Sequence, residues 1–321
     1  MQKSIKVSIL IPIYKVERYL EKCLDSVFTQ TYQNVDYVFV NDCSPDNSLQ
    51  VLKDTICKHG IDKNRYVIID HEQNEGIAVS RVDCIKHATG DYVLFVDSDD
   101  WIEDNAVEQM ILATKNGSID IVGCDYIDEF GSGKKAYHKE TYAETCQENL
   151  VRCLNYDVSP VLWKLLIKRY LFENIKITPG LNIGEDYSIS IKLYYYAKSF
   201  QALNQAFYHY VHYNQSKLSY QRLRSVNDHV SIVNEVETFM KEKGIYDDEA
   251  AYRLKLRKFN IKSNFLTKQL WDLEAYKTVF PEAKGVWRQM PYTRKEKMKF
   301  WLAENRLYSP FKIIYTIFNL K

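Results

Sequence analysis

The sequence predicts an α/β fold, in which a mostly parallel, doubly wound sheet is followed by a helical C-terminal region. Two observations predict it. Over the first 130 residues, short apolar runs rich in β-branched and aromatic residues alternate with segments of helical periodicity, as in successive β-α-β units. From about residue 225 the pattern is nearly all helical, with breaks at Gly244, Pro281 and Pro291. We therefore expect an α/β domain over residues 1–220 and a helical region over residues 221–321.

Each predicted element follows from the local pattern. Apolar runs predict strands at residues 5–13, 37–40, 66–70, 92–96 and 119–126. Helical periodicity predicts helices between them at residues 16–28, 44–58, 77–89 and 105–115. The second of these helices is expected to begin at Ser44, with Pro45 in its first turn. Further along, we expect helices at residues 163–172 and 187–197, and a strand at residues 208–213.

The composition excludes several classes of protein. Among 321 residues, 43 Lys and Arg face 42 Asp and Glu, so a net charge of +1 gives no overall attraction to nucleic acid. No apolar run approaches the ~18 residues that a membrane-spanning helix needs, and residues 7–13 are too short for a signal peptide. Seven cysteines without a C-x-x-C pair indicate reduced thiols, which predicts a cytoplasmic protein.

The predicted fourth strand ends in acidic residues. Asp97 and Asp99 are two residues apart, so in an extended chain both carboxylates point the same way and Ser98 faces away. Two like charges held together favour a hard divalent cation, Mg²⁺ or Mn²⁺. The alternative is a polar turn in which Asp100 caps the next helix and Glu103 completes a capping box.

The fold places a further acid near this pair, and two common nucleotide-binding patterns are missing. Asp42 is expected at the end of the second strand, and ligands of doubly wound sheets bind at the carboxyl ends of the strands. Residues 131–135 lack the first Gly and the Ser or Thr of a Walker A loop. No convincing G-x-G-x-x-G follows the first strand, which argues against a nicotinamide enzyme.

Six short motifs occur in order between residues 6 and 220. They comprise residues 7–14, 19–31, 40–46, 74–81, 97–100 and 184–186. With them the chain resembles the family 2 glycosyltransferases, inverting enzymes of GT-A fold that use nucleotide-sugars. Each motif alone is a weak signal, but six in the right order are a strong one.

The resemblance implies a donor site built from five residues. Pro12 and Tyr14 match positions that line the base and ribose, and Asp42 matches a carboxylate that accepts a hydrogen bond from a pyrimidine ring. Arg81 matches a position near the diphosphate, and Asp97 one that contacts ribose or a metal-bound water. The implied donor is a nucleotide-sugar, and only the resemblance favours UDP as its nucleotide.

The same resemblance implies a metal ligand and a catalytic base. Asp99 matches the residue that binds a divalent metal, Mn²⁺ or Mg²⁺, and Asp186 the general base that takes the proton of the acceptor hydroxyl. The alternatives that the residues leave open are a helix N-terminal acid for Asp186, a solvated helix charge for Arg81 and a strand-end turn for Asp42.

Departures from the family pattern leave the donor open, and none of them removes a carboxylate that the chemistry needs. Lys15 and Val82 stand where Asn is usual, and Asn41 stands where a second Asp is common. The chain has no Q-x-x-R-W motif, so it does not resemble the processive synthases; residues 163–165 and 216–219 look more like enzymes that add single sugars to capsular, exopolysaccharide or lipopolysaccharide chains. The implied reaction moves a hexosyl or N-acetylhexosaminyl group, with inversion, to a saccharide or lipid-linked saccharide acceptor.

Two other classes of protein stay open. A GT-A-like nucleotidyltransferase would need a Gly-rich, Arg-containing loop after the first strand, and residues 11–15 are not one. A catalytically inactive scaffold in a polysaccharide assembly complex would have no reason to keep all four acids, Asp42, Asp97, Asp99 and Asp186.

The end of the chain suggests a membrane partner. Residues 285–321 carry eight Lys or Arg and two Glu, a net charge of +6, interleaved with aromatic and aliphatic side chains. This composition suits a helix lying in a membrane interface, which predicts peripheral contact with the inner face of the cytoplasmic membrane. The alternative is an ordinary amphipathic helix packed on the protein. The oligomeric state is not indicated by the sequence.

Overall fold

The computed structural model describes residues 4–214, 222–267, 270 and 272–305. The chain forms two compact units, Met1–Tyr220 and Gln221–Lys321. Residues 216–219 and 306–321, to which the sequence assigned acceptor and membrane features, lie outside the described residues.

Nine strands form one sheet in the described part of the first unit. They are β1 Val7–Ile13, β2 Val35–Asn41, β3 Tyr66–Asp70, β4 Tyr92–Phe95, β5 Trp101–Ile102, β6 Ile121–Glu129, β7 Lys135–His138, β8 Leu165–Lys168 and β9 Phe200–Val211. The helices of this unit are α1 Leu20–Phe28, α2 Ser48–Lys58, α3 Ile77–His87, α4 Ala106–Ala113, α5 Cys146–Cys153 and α6 Glu185–Tyr196.

The sheet confirms the predicted α/β class. Its strand order is β3-β2-β1-β4-β8-β6-β9-β5, with β7 paired to β6. The first four strands in this order are parallel, β8 is antiparallel to both its neighbours, and β6 and β9 are parallel. Every residue of β1, β2 and β4 is buried, as expected for parallel strands covered on both faces. The carboxyl ends of these strands therefore meet at one edge of the sheet.

Residues 163–172 were predicted to be helical, and that prediction is wrong. Leu165–Lys168 forms β8, and a 3₁₀ helix follows over Arg169–Asn174. Because β8 lies between β4 and β6, three of its four residues are buried. A short run that is apolar on both faces shows no period of two, so the pattern could not separate strand from helix.

The start of the second helix also differs from the prediction. It was expected at Ser44, whereas α2 begins at Ser48. The Asp46 carboxylate accepts hydrogen bonds from the backbone and hydroxyl of Ser48, at 3.1 and 2.6 Å, and from the backbone of Glu17 at 3.1 Å. These bonds tie Asp46 into a turn against the loop after β1, so the helix starts only after it.

The ladder between β6 and β9 is irregular. Cys124 pairs with Leu203 and Tyr126 with Tyr208, so two steps along β6 correspond to five along β9. β9 therefore carries three extra residues at this bulge. Beyond it the two strands pair regularly to Val211.

The described part of the second unit is helical. Its helices are α7 Arg222–Glu242, α8 Asp248–Ser263, α9 Leu273–Thr278 and α10 Arg294–Glu304. Trp287 and Phe300 are buried, and Phe300 packs edge-on against Phe259 of α8, whereas Trp301 is 44% exposed. In the described residues, no helix has the length and apolar character needed to cross a bilayer. Contact of the C-terminal segment with a membrane surface stays a prediction.

Candidate active site

The loop after β4 presents two carboxylates on one side. Asp97 and Asp99 are partly exposed, whereas Ser98 and Asp100 are buried. This is the alternation that the sequence predicted. The Asp99 carboxylate accepts a hydrogen bond of 2.8 Å from the side-chain amide of Asn214, just beyond β9. The two acids thus lie side by side at the edge where β1 and β2 also end.

Asp100 anchors this loop to β9. Its carboxylate accepts hydrogen bonds from the Tyr208 hydroxyl at 2.9 Å and from the backbone of Val211 at 2.8 Å. The Tyr208 oxygen also accepts a hydrogen bond from the backbone N–H of Asp97, at 3.1 Å. The alternative in which Asp100 caps the next helix is wrong, because Asn105 is the N-cap residue of α4. Asp100 thus fixes the acidic loop against β9.

Arg81 joins three carboxylates that come from two distant parts of the sequence. Its side chain is only 3% exposed and lies 5.0 Å from the centre of the Phe95 ring. The guanidinium contacts Glu185 at 3.1 Å, Asp186 at 3.2 Å and Asp97 at 3.4 Å. The alternative of a solvated helix charge is therefore wrong for Arg81. This residue links the loop after β4 to the first turn of α6.

Asp186 lies in an environment that disfavours its charged form. Its side chain is 15% exposed, and it accepts a long backbone hydrogen bond, 3.4 Å, from Leu162. Burial raises the pKa of Asp186 to about 8; Arg81 opposes this shift, and the neighbouring Glu185 and Asp97 add to it. A carboxyl with a pKa near neutrality can take up and release a proton at physiological pH, which suits a general base.

Asp42 is buried at the end of β2 and is extensively hydrogen-bonded. One oxygen accepts the backbone N–H of Glu75 at 2.7 Å and lies 2.9 Å from Nδ1 of His71. The other accepts the backbone N–H of Gly76 at 2.8 Å. A carboxylate has about four acceptor positions, and these partners occupy three of them. Asp42 therefore holds the turn that begins α3, and its contact with a base stays a prediction.

Pro12 and Tyr14 lie at the end of β1, beside the end of β2. Pro12 is buried and pairs with Val40 in the ladder. Tyr14 is 43% exposed, so its ring is available to a ligand. The structure thus brings Tyr14 to the same edge of the sheet as Asp42 and Asp99, with Pro12 shaping the strand end behind it.

The N-terminus of α3 is in contact with the segment that precedes α6. Gly76 has a φ of +90°, and a Cβ built there would lie 2.3 Å from Oδ1 of Asn182. The same oxygen lies 3.4 Å from the backbone N–H of Ala78, which donates to it. Sequence analysis did not identify Asn182, nor the residues His71, Tyr208 and Asn214. No motif or periodicity marks such contacts, which join residues 12 to 115 positions apart. Co-variation between aligned sequences is the signal that finds them.

The acidic loop fits a divalent cation whose remaining ligands come from a substrate and water. Among the residues that the structure describes, no group of three or more His, Cys, Asp or Glu side chains could hold a metal alone. Mg²⁺ and similar ions commonly bind through one or two carboxylates together with substrate phosphates and waters. Asp97 and Asp99 supply such a pair.

Comparison with known proteins identifies the family. Residues 8–190, more than half of the chain, match the family model described as glycosyl transferase family 2. The chain belongs to glycosyl transferase family 2. It is 33% identical to the glycosyltransferase GlyA of Streptococcus pneumoniae over 64% of this chain and 30% of GlyA. It is 27% identical to the glycosyltransferase EpsH of Bacillus subtilis over 87% of this chain and 81% of EpsH. The chain thus spans less than a third of GlyA.

Solved structures confirm the GT-A fold. The fold is similar to that of TarS from S. aureus, residues 1–349, with a TM-score of 0.67 at 18% identity, over 98% of this chain and 92% of that one. The mannosyltransferase PcManGT from Pyrobaculum calidifontis, solved with GDP-Man and Mn²⁺, gives a TM-score of 0.52 at 16% identity, over 97% and 83%. As a member of the family, this chain carries a glycosyltransferase domain of the GT-A fold.

Proposed function

We propose that this glycosyltransferase moves a sugar, with inversion, from a UDP-sugar to an acceptor of cell-surface polysaccharide synthesis. The observation that carries this proposal is the cluster around Arg81. It brings together Asp97, beside the proposed metal ligand Asp99, and Asp186, the proposed general base. A site that transfers a sugar needs a donor phosphate site and a base for the acceptor next to each other, and this cluster supplies both.

The donor lies along the carboxyl edge of the parallel strands. Tyr14 offers an exposed ring for the base, and Asp42 is the acceptor for a ring N–H. TarS has been solved with UDP and with UDP-GlcNAc, which supports a uridine donor on a similar fold. Asp99 would hold a divalent cation, whose positive charge would offset the negative charge on the departing diphosphate.

Asp186 acts on the acceptor. Its ionised carboxylate takes the proton of the acceptor hydroxyl while the oxygen of that hydroxyl forms a bond to the anomeric carbon. The bond from this carbon to the phosphate oxygen breaks, and the nucleoside diphosphate leaves with the electron pair. Arg81 keeps Asp186 and Asp97 in fixed relative positions during the step, because it contacts both carboxylates from a buried position.

The class of acceptor is proposed from relatives. The chain is 32% identical, over 64% of its length, to a poly(ribitol-phosphate) beta-glucosyltransferase of Bacillus spizizenii, and 28% identical to the minor teichoic acid biosynthesis protein GgaB of Bacillus subtilis. Both names describe synthesis of cell-wall polymers. A saccharide or lipid-linked saccharide of the cell surface is therefore the proposed acceptor.

A thermal-shift panel tests the donor site. The full chain is heated with UDP, UDP-GlcNAc and GDP-mannose, each with Mn²⁺ or with EDTA. A ligand at 100 times its Kd stabilises by about 2.7 kcal/mol, which raises Tm by several degrees. We expect a metal-dependent shift with the uridine ligands that is lost in Asp99→Ala. Asp54→Ala, at an exposed acid of α2, is the matched control and retains the shift. If no nucleotide shifts Tm under any condition, the inactive scaffold becomes the better hypothesis.

A further inference from the structure

His71 lies between two carboxylates directly after β3. Its Nδ1 is 2.9 Å from Oδ1 of Asp42, and its Nε2 is 3.2 Å from Oδ2 of Asp83. A neutral imidazole has one N–H and can donate to only one of these partners, whereas an imidazolium donates to both. The His71 side chain is 10% exposed, so water does not readily replace either bond. The geometry is therefore that of a charged His71.

This imidazolium connects three elements of the donor side. Asp42 ends β2 and also receives the backbone N–H groups of Glu75 and Gly76, which lead into α3. Asp83 lies two turns further along α3. If His71 loses its proton, one of the two carboxylates faces a nitrogen lone pair in a mostly buried position. The turn at residues 74–76 then loses part of what fixes it against β2.

The groups that act on the ring come from two elements. Asp42 faces it from the end of β2 and Asp83 from α3. Burial lowers the pKa of His71, but the two carboxylates outweigh burial and hold this pKa above its usual value. The two carboxylates thus favour the imidazolium over the neutral ring.

We propose that His71 is a positioning residue for the nucleotide donor, which holds Asp42 and the start of α3 in the arrangement that the donor binds. This inference rests on the proposed function, because it takes that edge of the sheet as the donor site. Its consequence is a donor affinity that is high while His71 is charged and falls as pH rises and the proton leaves. Turnover at saturating donor does not change with it, because Asp186 lies in the other charge cluster.

The first test measures the affinity of UDP-GlcNAc and GDP-mannose between pH 6 and 8.5 with Mg²⁺, since the phosphates of these ligands do not titrate in that range. For wild type we expect the affinity for whichever of these nucleotide-sugars binds to fall as pH rises. His71→Asn keeps an amide N–H near the Nδ1 position, so it binds without this pH dependence. His71→Gln places its N–H near Nε2 instead and binds about tenfold more weakly at low pH.

Two further variants separate positioning from a general effect on stability. Asp83→Asn leaves Asp42 intact and removes one charge from the ring, so the loss of affinity moves to lower pH. His59→Gln is the matched control, because His59 also contacts a carboxylate, that of Asp25 at 2.6 Å, between α1 and α2. It retains the wild-type profile. An Asp83→Asn profile identical to wild type, or a wild-type affinity that is flat with pH, overturns the inference.

A measurement without ligand tests the same contacts directly. In NMR spectra of the full chain, the His71 ring should titrate above the usual pH for histidine, and the amide signals of Glu75 and Gly76 should move with it. Amides that stay fixed while the ring titrates overturn the positioning role. If no nucleotide binds wild type at any pH, the proposed function fails and this inference with it. If nucleotide binds without pH dependence, only this inference fails.

Discussion

The charge clusters around His71 and Arg81 both lie in the first unit, yet their carboxylates receive different sets of hydrogen bonds and ion pairs. Around His71, one cation faces two carboxylates, and two backbone N–H groups complete the hydrogen bonds of Asp42. Around Arg81, one cation faces three carboxylates, and Asp186 accepts a long backbone hydrogen bond. The difference teaches that a buried carboxylate with several close donors fixes a turn. One whose donors are shared or distant keeps a raised pKa and is available for proton transfer.

The largest expected effect is the loss of transfer when Asp186, in the cluster around Arg81, is replaced. Asp186→Asn removes the base but keeps the size of the side chain, so transfer should fall by about 10²–10⁴-fold. Nucleotide affinity should stay near wild type, because Asp186 is proposed to act on the acceptor. Steady-state kinetics and the thermal-shift panel measure the two quantities. Transfer at a near wild-type rate would rule out Asp186 as the base, and Asp157→Asn, at another acid of the first unit, serves as the control.

The two clusters should also differ in what their cations contribute to stability. Arg81→Met leaves three carboxylates in a buried site without a cation, which costs about 3–5 kcal/mol of unfolding free energy. His71→Asn keeps one donor to Asp42, whose backbone partners remain, so its cost should be about 1–2 kcal/mol. Denaturant unfolding of the two variants gives the comparison. Equal losses in both would show that the excess of carboxylates around Arg81 has no energetic consequence.

The pH dependence of the reaction should follow Asp186. Because the base acts when ionised, the rate should rise about tenfold per pH unit below its pKa of about 8 and level off above it. Stability changes in the opposite sense. A folded pKa above the ordinary 3.8 gives stability that is complete at low pH and is lost as pH rises toward 8. Wild type should therefore lose stability relative to Asp186→Asn across this range. A constant difference in unfolding free energy between them contradicts the raised pKa.

The smallest effect concerns the contact between Gly76 and Asn182. Gly60 has a φ of +59°, a left-handed value that costs alanine about 1–2 kcal/mol. Gly76 has a φ of +90° and a ψ of 164°, a conformation essentially restricted to glycine, so alanine there is strained further. A Cβ at position 60 has no atom within 4 Å, whereas one at position 76 meets Asn182 at 2.3 Å. Gly76→Ala should therefore destabilise more than Gly60→Ala in thermal unfolding, and it alone should weaken nucleotide binding. The difference between the two variants measures the contact with Asn182 together with the additional backbone strain at position 76.

The sequence predicted the parallel half of the sheet well. The strands at residues 66–70 and 92–96 agree with β3 and β4 to within one residue, because both are short runs rich in β-branched and aromatic residues. Prediction failed where tertiary position decides the structure. β8 was taken for a helix, and β9 begins at Phe200, eight residues before the predicted strand, because its first half is partly exposed and mixed in composition.

For the site, the sequence placed the acids but not their partners. The alternation of Asp97 and Asp99 was predictable, because a period of two follows from extended backbone alone. The contacts of Arg81 were not, since they depend on how α3 packs against the start of α6, more than a hundred residues away. Asn214 and Tyr208 follow the same rule, because a strand that returns late in the chain brings them to the acidic loop.

The number of extra residues in the β9 bulge determines whether Tyr208 can reach the acidic loop. Three extra residues are an odd number, so side chains before and after the bulge are out of phase with those of β6. This inversion of phase sets which face of the sheet the Tyr208 hydroxyl leaves from, and that hydroxyl meets Asp100. Deleting one residue between 203 and 208 would restore a regular alternation and turn Tyr208 away from the loop. Deleting two residues would keep the present orientation of Tyr208. Insertions or deletions in this segment therefore keep the contact with Asp100 only when they change its length by an even number of residues.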